Sequence, residues 1–167
     1  MLRIYNTLTK RVEEVQPIER GVVRMYSCGP TVYRDAHIGN LRTYLMADWI
    51  RRVLEADGLQ VHHVKNITDV GHMRQELVES SGDKMILAAL DEGKKVQDIA
   101  QFYAERFHKD EARVNILPAH IFPWATQHVP EMVSIVEKLM ASGHAYQAGG
   151  NIYFSVGHFD GYGKLSR

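Results

Sequence analysis

Residues 28–40 gather side chains and a backbone pattern suited to holding a small polar ligand. Cys28-Gly29-Pro30 closes an apolar run, and His37-Ile38-Gly39-Asn40 opens a long amphipathic stretch. His37 and Asn40 lie three apart, so at the start of a helix they share one face. Unpaired backbone N–H groups and the helix dipole already favour an anion there. Two neutral hydrogen-bond donors at that place suit phosphate oxygens, and Gly39 between them leaves room for a nucleotide to approach the backbone. Read on spacing alone, His37 also fits a helix-start histidine bonded to its own surroundings. Cys28 is the one cysteine of the chain, which excludes an internal disulfide. Its thiol is either packed as a small apolar group or used as a ligand. A second cluster, Asn66-Ile67-Thr68-Asp69, reads as a strand-end turn or cap, or as a ligand contact.

These groups need elements that aim them. The β-branched and aromatic run Val22 to Cys28 predicts a strand that stops at Gly29-Pro30. Apolar residues at Leu41, Leu45, Trp49, Ile50, Val53 and Leu54 predict a helix ending near Asp57-Gly58, and Val61 to Ile67 predicts a second strand. A helical crossover between neighbouring strands gives a parallel pair with ligands beyond their carboxyl ends, where both clusters sit. Downstream, Lys84 to Leu90, Val96 to Val114 and Val129 to Met140 read as helices. Ala145-Tyr146-Gln147 and Ile152-Tyr153-Phe154 read as hairpin strands around Gly149-Gly150. The expected class is α/β, with a nucleotide-binding unit over 1–79, a loop at Ser80-Ser81-Gly82-Asp83, and an α-rich segment with a small β-hairpin over 80–167. No terminating element precedes Arg167, so a truncated end is expected.

Charge narrows the partners. Twenty basic residues balance twenty acidic ones, so no global positive field advertises nucleic-acid binding. The charged stretch Glu105 to Arg113 reads as a solvated helix face, and Phe122 and Trp124 beside Pro123 as a satellite core. No stretch of about 18 apolar residues occurs, and Met1-Leu2-Arg3-Ile4-Tyr5 lacks the apolar segment of a signal peptide. A cytoplasmic protein without membrane association is expected. Of the nine histidines, His62, His63 and His72 stand nearest the presumed site, without metal-ligand spacing to Cys28.

The segment Cys28-Gly29-Pro30-Thr31-Val32-Tyr33, taken with His37-Ile38-Gly39-Asn40 and Asn66-Ile67-Thr68-Asp69, resembles the signature of the cysteinyl-tRNA synthetases, a class I family. The similarity runs from about Leu2 to Arg167. It implies a Rossmann-like parallel sheet, incomplete in this chain, and a hairpin that begins the family's connective insertion. It implies ATP with magnesium, cysteine and cysteine tRNA as partners. In that reaction the cysteine carboxylate attacks the α-phosphorus of ATP, giving cysteinyl-adenylate and pyrophosphate, before transfer to the terminal ribose of the tRNA.

Residue by residue, the resemblance implies ATP contacts for Thr31, His37, Gly39 and Asn40, with His37 and Asn40 catalytic. It implies contacts to substrate cysteine for Cys28, Gly29 and Thr68, and a zinc-ligand role for Cys28. Asn40 stands where the family's H-I-G-H motif carries its second histidine, and it can donate a hydrogen bond without being a cation. Zinc would select a thiolate over a hydroxyl, because a soft ligand suits it better. The family's other zinc ligands come from a region beyond Arg167, so the zinc site is expected to be incomplete. The K-M-S-K-S motif and the helical tRNA-binding domain are not among these residues, and Gly163-Lys164-Leu165-Ser166 belongs to the hairpin region. Val70-Gly71-His72-Met73 replaces the further acidic residues of many relatives. The expectation is a half-site with weak binding and little turnover. Two other functions fit the same residues. One is a fragment of a ligase that passes cysteine to an amino sugar, as the mycothiol-pathway relatives do. The other is a truncated paralogue that holds an adenylate or a protein partner without catalysis.

Overall fold

The computed structural model of the chain describes residues 1–70 and 96–165. In chain order its elements are β1 (Arg3–Asn6), β2 (Arg11–Glu14), β3 (Val22–Ser27), α1 (Ile38–Ala56), β4 (Gln60–Lys65), α2 (Val96–Arg113), α3 (Val129–Ala141), β5 (Ala145–Ala148) and β6 (Asn151–Phe154). The expected helix at Lys84 to Leu90, the loop at Ser80 to Asp83, and Gly71-His72-Met73 lie outside the described residues. The chain divides into two compact units, one of Met1–Leu2 with Gln16–Thr126, the other of Arg3–Val15 with Gln127 onward.

In the first unit, β3 and β4 pair in parallel, from Val22 opposite Gln60 to Ser27 opposite Lys65. The 19-residue helix α1 makes the crossover. Its end follows from local chemistry: Gly58 at φ +83° donates to the Glu55 carbonyl and Leu59 to that of Leu54, a Schellman motif that satisfies two last-turn carbonyls. Helix α2 stops the same way on Asn115, at φ 58°, with Ile116 N–H donating to Glu111. On its other edge β4 bonds to residues 121–124, through Lys65 N–H to the Ile121 carbonyl at 3.0 Å and Ile67 N–H to that of Pro123 at 2.8 Å. Pro123 has no N–H to give, which suits an irregular edge rung and not a regular strand.

The core of this unit joins Val32, Tyr44, Ile67, Ile99, Ala100, Tyr103, Ala104, Phe107 and Ile116. Ile99, Tyr103, Phe107 and Glu111 recur every fourth residue, so one face of α2 supplies much of it. Two sequence expectations change here. Glu105 to Arg113 is not wholly a solvated face, because Glu111 is buried at the inward end of that stripe and pairs with buried Lys65. Phe122 and Trp124 form no satellite, since both pack against the main core from the third rung beside β4.

In the second unit β1 and β2 form an antiparallel hairpin, and β5 and β6 another, with Tyr146 opposite Tyr153. Their rings stack at 5.7 Å between centroids. Helix α3 has Pro130 in its first turn, where a missing N–H costs nothing, and closes on Gly143.

Candidate functional site

The carboxyl ends of β3 and β4 are clasped together by one side chain. Asn66 Oδ1 accepts from Gly29 N–H at 2.9 Å, and its Nδ2 donates to Thr68 Oγ1 at 3.0 Å. The two loops then run in parallel, Val32 N–H donating to the Thr68 carbonyl and Thr68 N–H to that of Pro30, so Thr31 stands opposite Thr68. Gly29 makes the approach possible. A Cβ there would fall 1.8 Å from the Asn66 carbonyl oxygen, far inside van der Waals contact. Cys28, one residue past β3, is exposed and free.

Helix α1 begins on a reciprocal capping box. Nδ1 of His37 accepts from the N–H groups of Gly39 at 3.1 Å and Asn40 at 3.3 Å, while Oδ1 of Asn40 accepts from His37 N–H at 3.2 Å. The acceptor of each side chain is thereby used. With Nδ1 a lone-pair acceptor, the proton of the neutral ring sits on Nε2, and the donors left for a ligand are that Nε2–H and the Asn40 amide N–H groups. Gly39 has a second purpose beyond access for a nucleotide: a Cβ would lie 2.9 Å from His37 Cε1, so only glycine lets the ring fold over the helix start.

Between the loop after β3 and the start of α1 lies a cleft of about 110 Å³ whose wall includes Thr31, Tyr33, Arg34, Asp35, Asn40 and Tyr44, with Gly29 at its β3 end. Tyr44 follows Asn40 by one helical turn and forms a buried side of the cleft. Burial, with the Glu111 carboxylate and Cys28 adding to it, pushes its phenol up to about 12, so it stays a proton donor across the working pH range. Beneath its ring, 4.9 Å from the centroid, sits the Lys65 ammonium, fully buried and paired with Glu111. Asp35 at the rim is held by both arms of Arg106 at 2.5 and 2.8 Å.

Of the sequence candidates, Gly29, Thr31 and Asn40 line this cleft, Gly39 and His37 cap the helix behind Asn40, and Thr68 is bound to the same loop through Asn66. Asp69 turns the other way: its carboxylate accepts from Thr126 N–H and Oγ1–H and caps the turn that follows the third rung. His63 is buried with its Nε2 against Ser27 Oγ at 2.8 Å and its Nδ1 without a hydrogen-bond partner among the described residues. Among the described residues no group of three His, Cys, Asp or Glu side chains is placed to hold a metal ion. Sequence reasoning missed Arg34, Tyr44 and the Asn66 clasp. Tyr44 was within reach, at i+4 from Asn40 on one helix face, whereas the clasp depends on a strand pairing that no single segment encodes.

The family described as tRNA synthetases class I (C) catalytic domain matches residues 14–167. Similar curated proteins carry the name cysteine--tRNA ligase. That of Chlorobaculum tepidum is 44% identical over 99% of this chain and 34% of its own length, and that of Treponema denticola 46% identical over 99% and 33%. That of Salinibacter ruber is 47% identical over 98% and 33%. The chain thus spans about a third of the length of these relatives. Among solved structures, the arginyl-tRNA synthetase of Plasmodium falciparum shares the fold at a TM-score of 0.53 and 17% identity, over 84% of this chain and 30% of that one.

Proposed function

The chain belongs to the class I (C) family of tRNA-synthetase catalytic domains, and from that premise we propose that its cleft binds ATP and cysteine for the formation of cysteinyl-adenylate on the way to cysteine tRNA. The observation that carries the reading is the capping box. It consumes the acceptors of His37 and Asn40 and leaves donors, at a helix N-terminus that favours negative charge. Such a site suits a phosphate and opposes a cation.

In this reading the cysteine carboxylate attacks the α-phosphorus, the bond to the bridging oxygen breaks, and pyrophosphate leaves. Nε2–H of His37 and the amide of Asn40 hold phosphoryl oxygens while charge builds on them, which stabilises the transition state by fixed dipoles. Thr31 and Gly39 border the nucleotide, and Thr68, Gly29 and Cys28 border the amino acid. Magnesium enters with ATP. The Cys28 thiol is chemically suited to zinc, but a zinc site takes about four ligands and the described residues bring no others to it. No step is therefore assigned to the metal.

Within these 167 residues there is no K-M-S-K-S sequence to supply a further cation, so the chain by itself binds the adenylate weakly and turns over little. In this reading residues 1–79 carry the nucleotide-binding motifs and residues 80–167 lead into the insertion, with α2 packed back onto the first unit's core, and the site of action is the cytoplasm. Among the described residues no helix is long and apolar enough to cross a membrane. The test is calorimetric titration of the purified chain with a non-hydrolysable cysteinyl-adenylate analogue and with its seryl counterpart. Saturable binding of both is expected, without a marked preference for the cysteinyl form, because the described residues complete no zinc site to select a thiolate. No binding by a folded sample would overturn the reading.

A further inference from the structure

The cleft holds a charge that the roles above leave unused. Arg34 lines it and is exposed, between Tyr33 and Asp35. Its guanidinium carbon lies 5.2 Å from the centre of the Tyr33 ring, a stacking contact that limits where the flexible side chain can point. The neighbouring carboxylate does not neutralise it, because both oxygens of Asp35 are engaged by Arg106 from α2. Among the described residues that line the cleft, Arg34 is therefore the one cation, and its partner is a ring and not an acid.

An arginine in this setting presents several N–H donors in a planar fork, the shape that grips phosphate oxygens in pairs. It faces the same cleft as Asn40, whose remaining donors also suit an anion. Two elements thus converge on one space with donors and no acid left over. We propose that Arg34 is a substrate-binding residue of this chain, taking the triphosphate tail of ATP by a charge-assisted, forked contact. The proposal rests on the nucleotide reading of the cleft and adds a residue to it. Asp35 and Arg106 then have a positioning role: they tie the loop to α2, and the cleft's one carboxylate is already paired with a cation.

The experiment is equilibrium titration of the purified chain, wild type, Arg34→Met and Arg34→Lys, with ATP, inorganic tripolyphosphate and adenosine. Arg34 is exposed, and among the described residues its contact is the face of the Tyr33 ring, so unchanged thermal melting of the variants is expected and verifies that they fold. Arg34→Met should weaken ATP and tripolyphosphate by about tenfold or more, the usual worth of a hydrogen bond to a charged group. Adenosine affinity should stay unchanged. Arg34→Lys, which keeps the charge and loses the fork, should fall between. If Arg34→Met binds ATP as the wild type does, the proposal is overturned while the nucleotide reading stands. If the wild type takes tripolyphosphate in an Arg34-dependent way but neither ATP nor adenosine, the anion site stands and the nucleotide reading fails. Binding of neither by the folded wild type overturns both.

Discussion

Replacing His37 separates two tasks that one ring performs. Its Nδ1 caps α1 through two long, exposed hydrogen bonds of 3.1 and 3.3 Å, and its Nε2–H is assigned to a phosphoryl oxygen. Alanine abolishes both tasks. Loss of an N-cap costs about 1 kcal/mol, which for a chain of this size lowers Tm by about 2–4 °C. Asparagine is itself a strong N-cap and should restore stability to within about 0.5 kcal/mol of wild type, while leaving no donor where Nε2–H stood. The lost hydrogen bond to a charged oxygen is worth about 1.5–3 kcal/mol, a roughly ten- to hundredfold fall in affinity for the adenylate analogue. Urea denaturation reads the first quantity and calorimetry the second. The expected pattern is a destabilised, weakly binding His37→Ala and a stable, equally weakly binding His37→Asn. If His37→Asn binds as tightly as wild type, the ring is a cap and nothing more.

Other outcomes follow from the packing. Gly29→Ala places a methyl group 1.8 Å from the Asn66 carbonyl oxygen, so the strand ends must separate. A loss of about 3 kcal/mol or more is expected, read as a reduced urea midpoint; wild-type stability would mean that the clasp is not as drawn. Glu111→Gln strips the buried Lys65 ammonium of its counter-charge and should cost about 3–5 kcal/mol, whereas the double change Lys65→Met with Glu111→Leu should recover most of it, because a buried pair is weakly stabilising against an apolar replacement. If the double variant is the less stable one, that argument fails. Burial, with Lys65, Arg51 and His120 adding to it against Asp48, lowers His63 from 6.5 to about 4. The unfolded chain therefore takes up this proton first as pH falls. The contribution is complete above pH 6.5 and is lost toward pH 4, about 3 kcal/mol at most. Urea midpoints at pH 7 and 4.5 should differ less in His63→Gln than in wild type, and an unaltered difference would show that His63 is not the group responsible.

Much of this architecture was legible because its signals are local. The run at Val22, the stripe from Leu41 to Leu54 with its stop near Gly58, and the run from Val61 to Ile67 each announce one element, and the structure places β3, α1 and β4 there. Helices α2 and α3 and the hairpin at Gly149-Gly150 followed in the same way. The β1–β2 hairpin did not. Its strands are four residues each, largely exposed and charged, and their turn passes through Lys10 at φ 57°, where no glycine marks it. Strand β4 hid its inward face too: Val61, His63 and Lys65 alternate toward the interior, and two of the three are polar, so hydrophobic alternation points nowhere. What makes Lys65 tolerable there is Glu111, 46 residues away in sequence, a pairing no window of sequence contains. The site divides likewise. His37, Gly39 and Asn40 were visible because their spacing within four residues of a helix start is a local signal, whereas the Asn66 clasp acquires meaning only when two loops meet.

The claim at the centre is that the carboxyl ends of β3 and β4 and the start of α1 form one ligand site. Hydrogen–deuterium exchange of the purified chain, with and without the cysteinyl-adenylate analogue, localises the ligand directly. Slower exchange in peptides covering residues 28–41 and 66–69, with residues 129–154 unchanged, is the predicted result. Protection confined to residues 129–154, or no protection anywhere at saturating analogue, would contradict it.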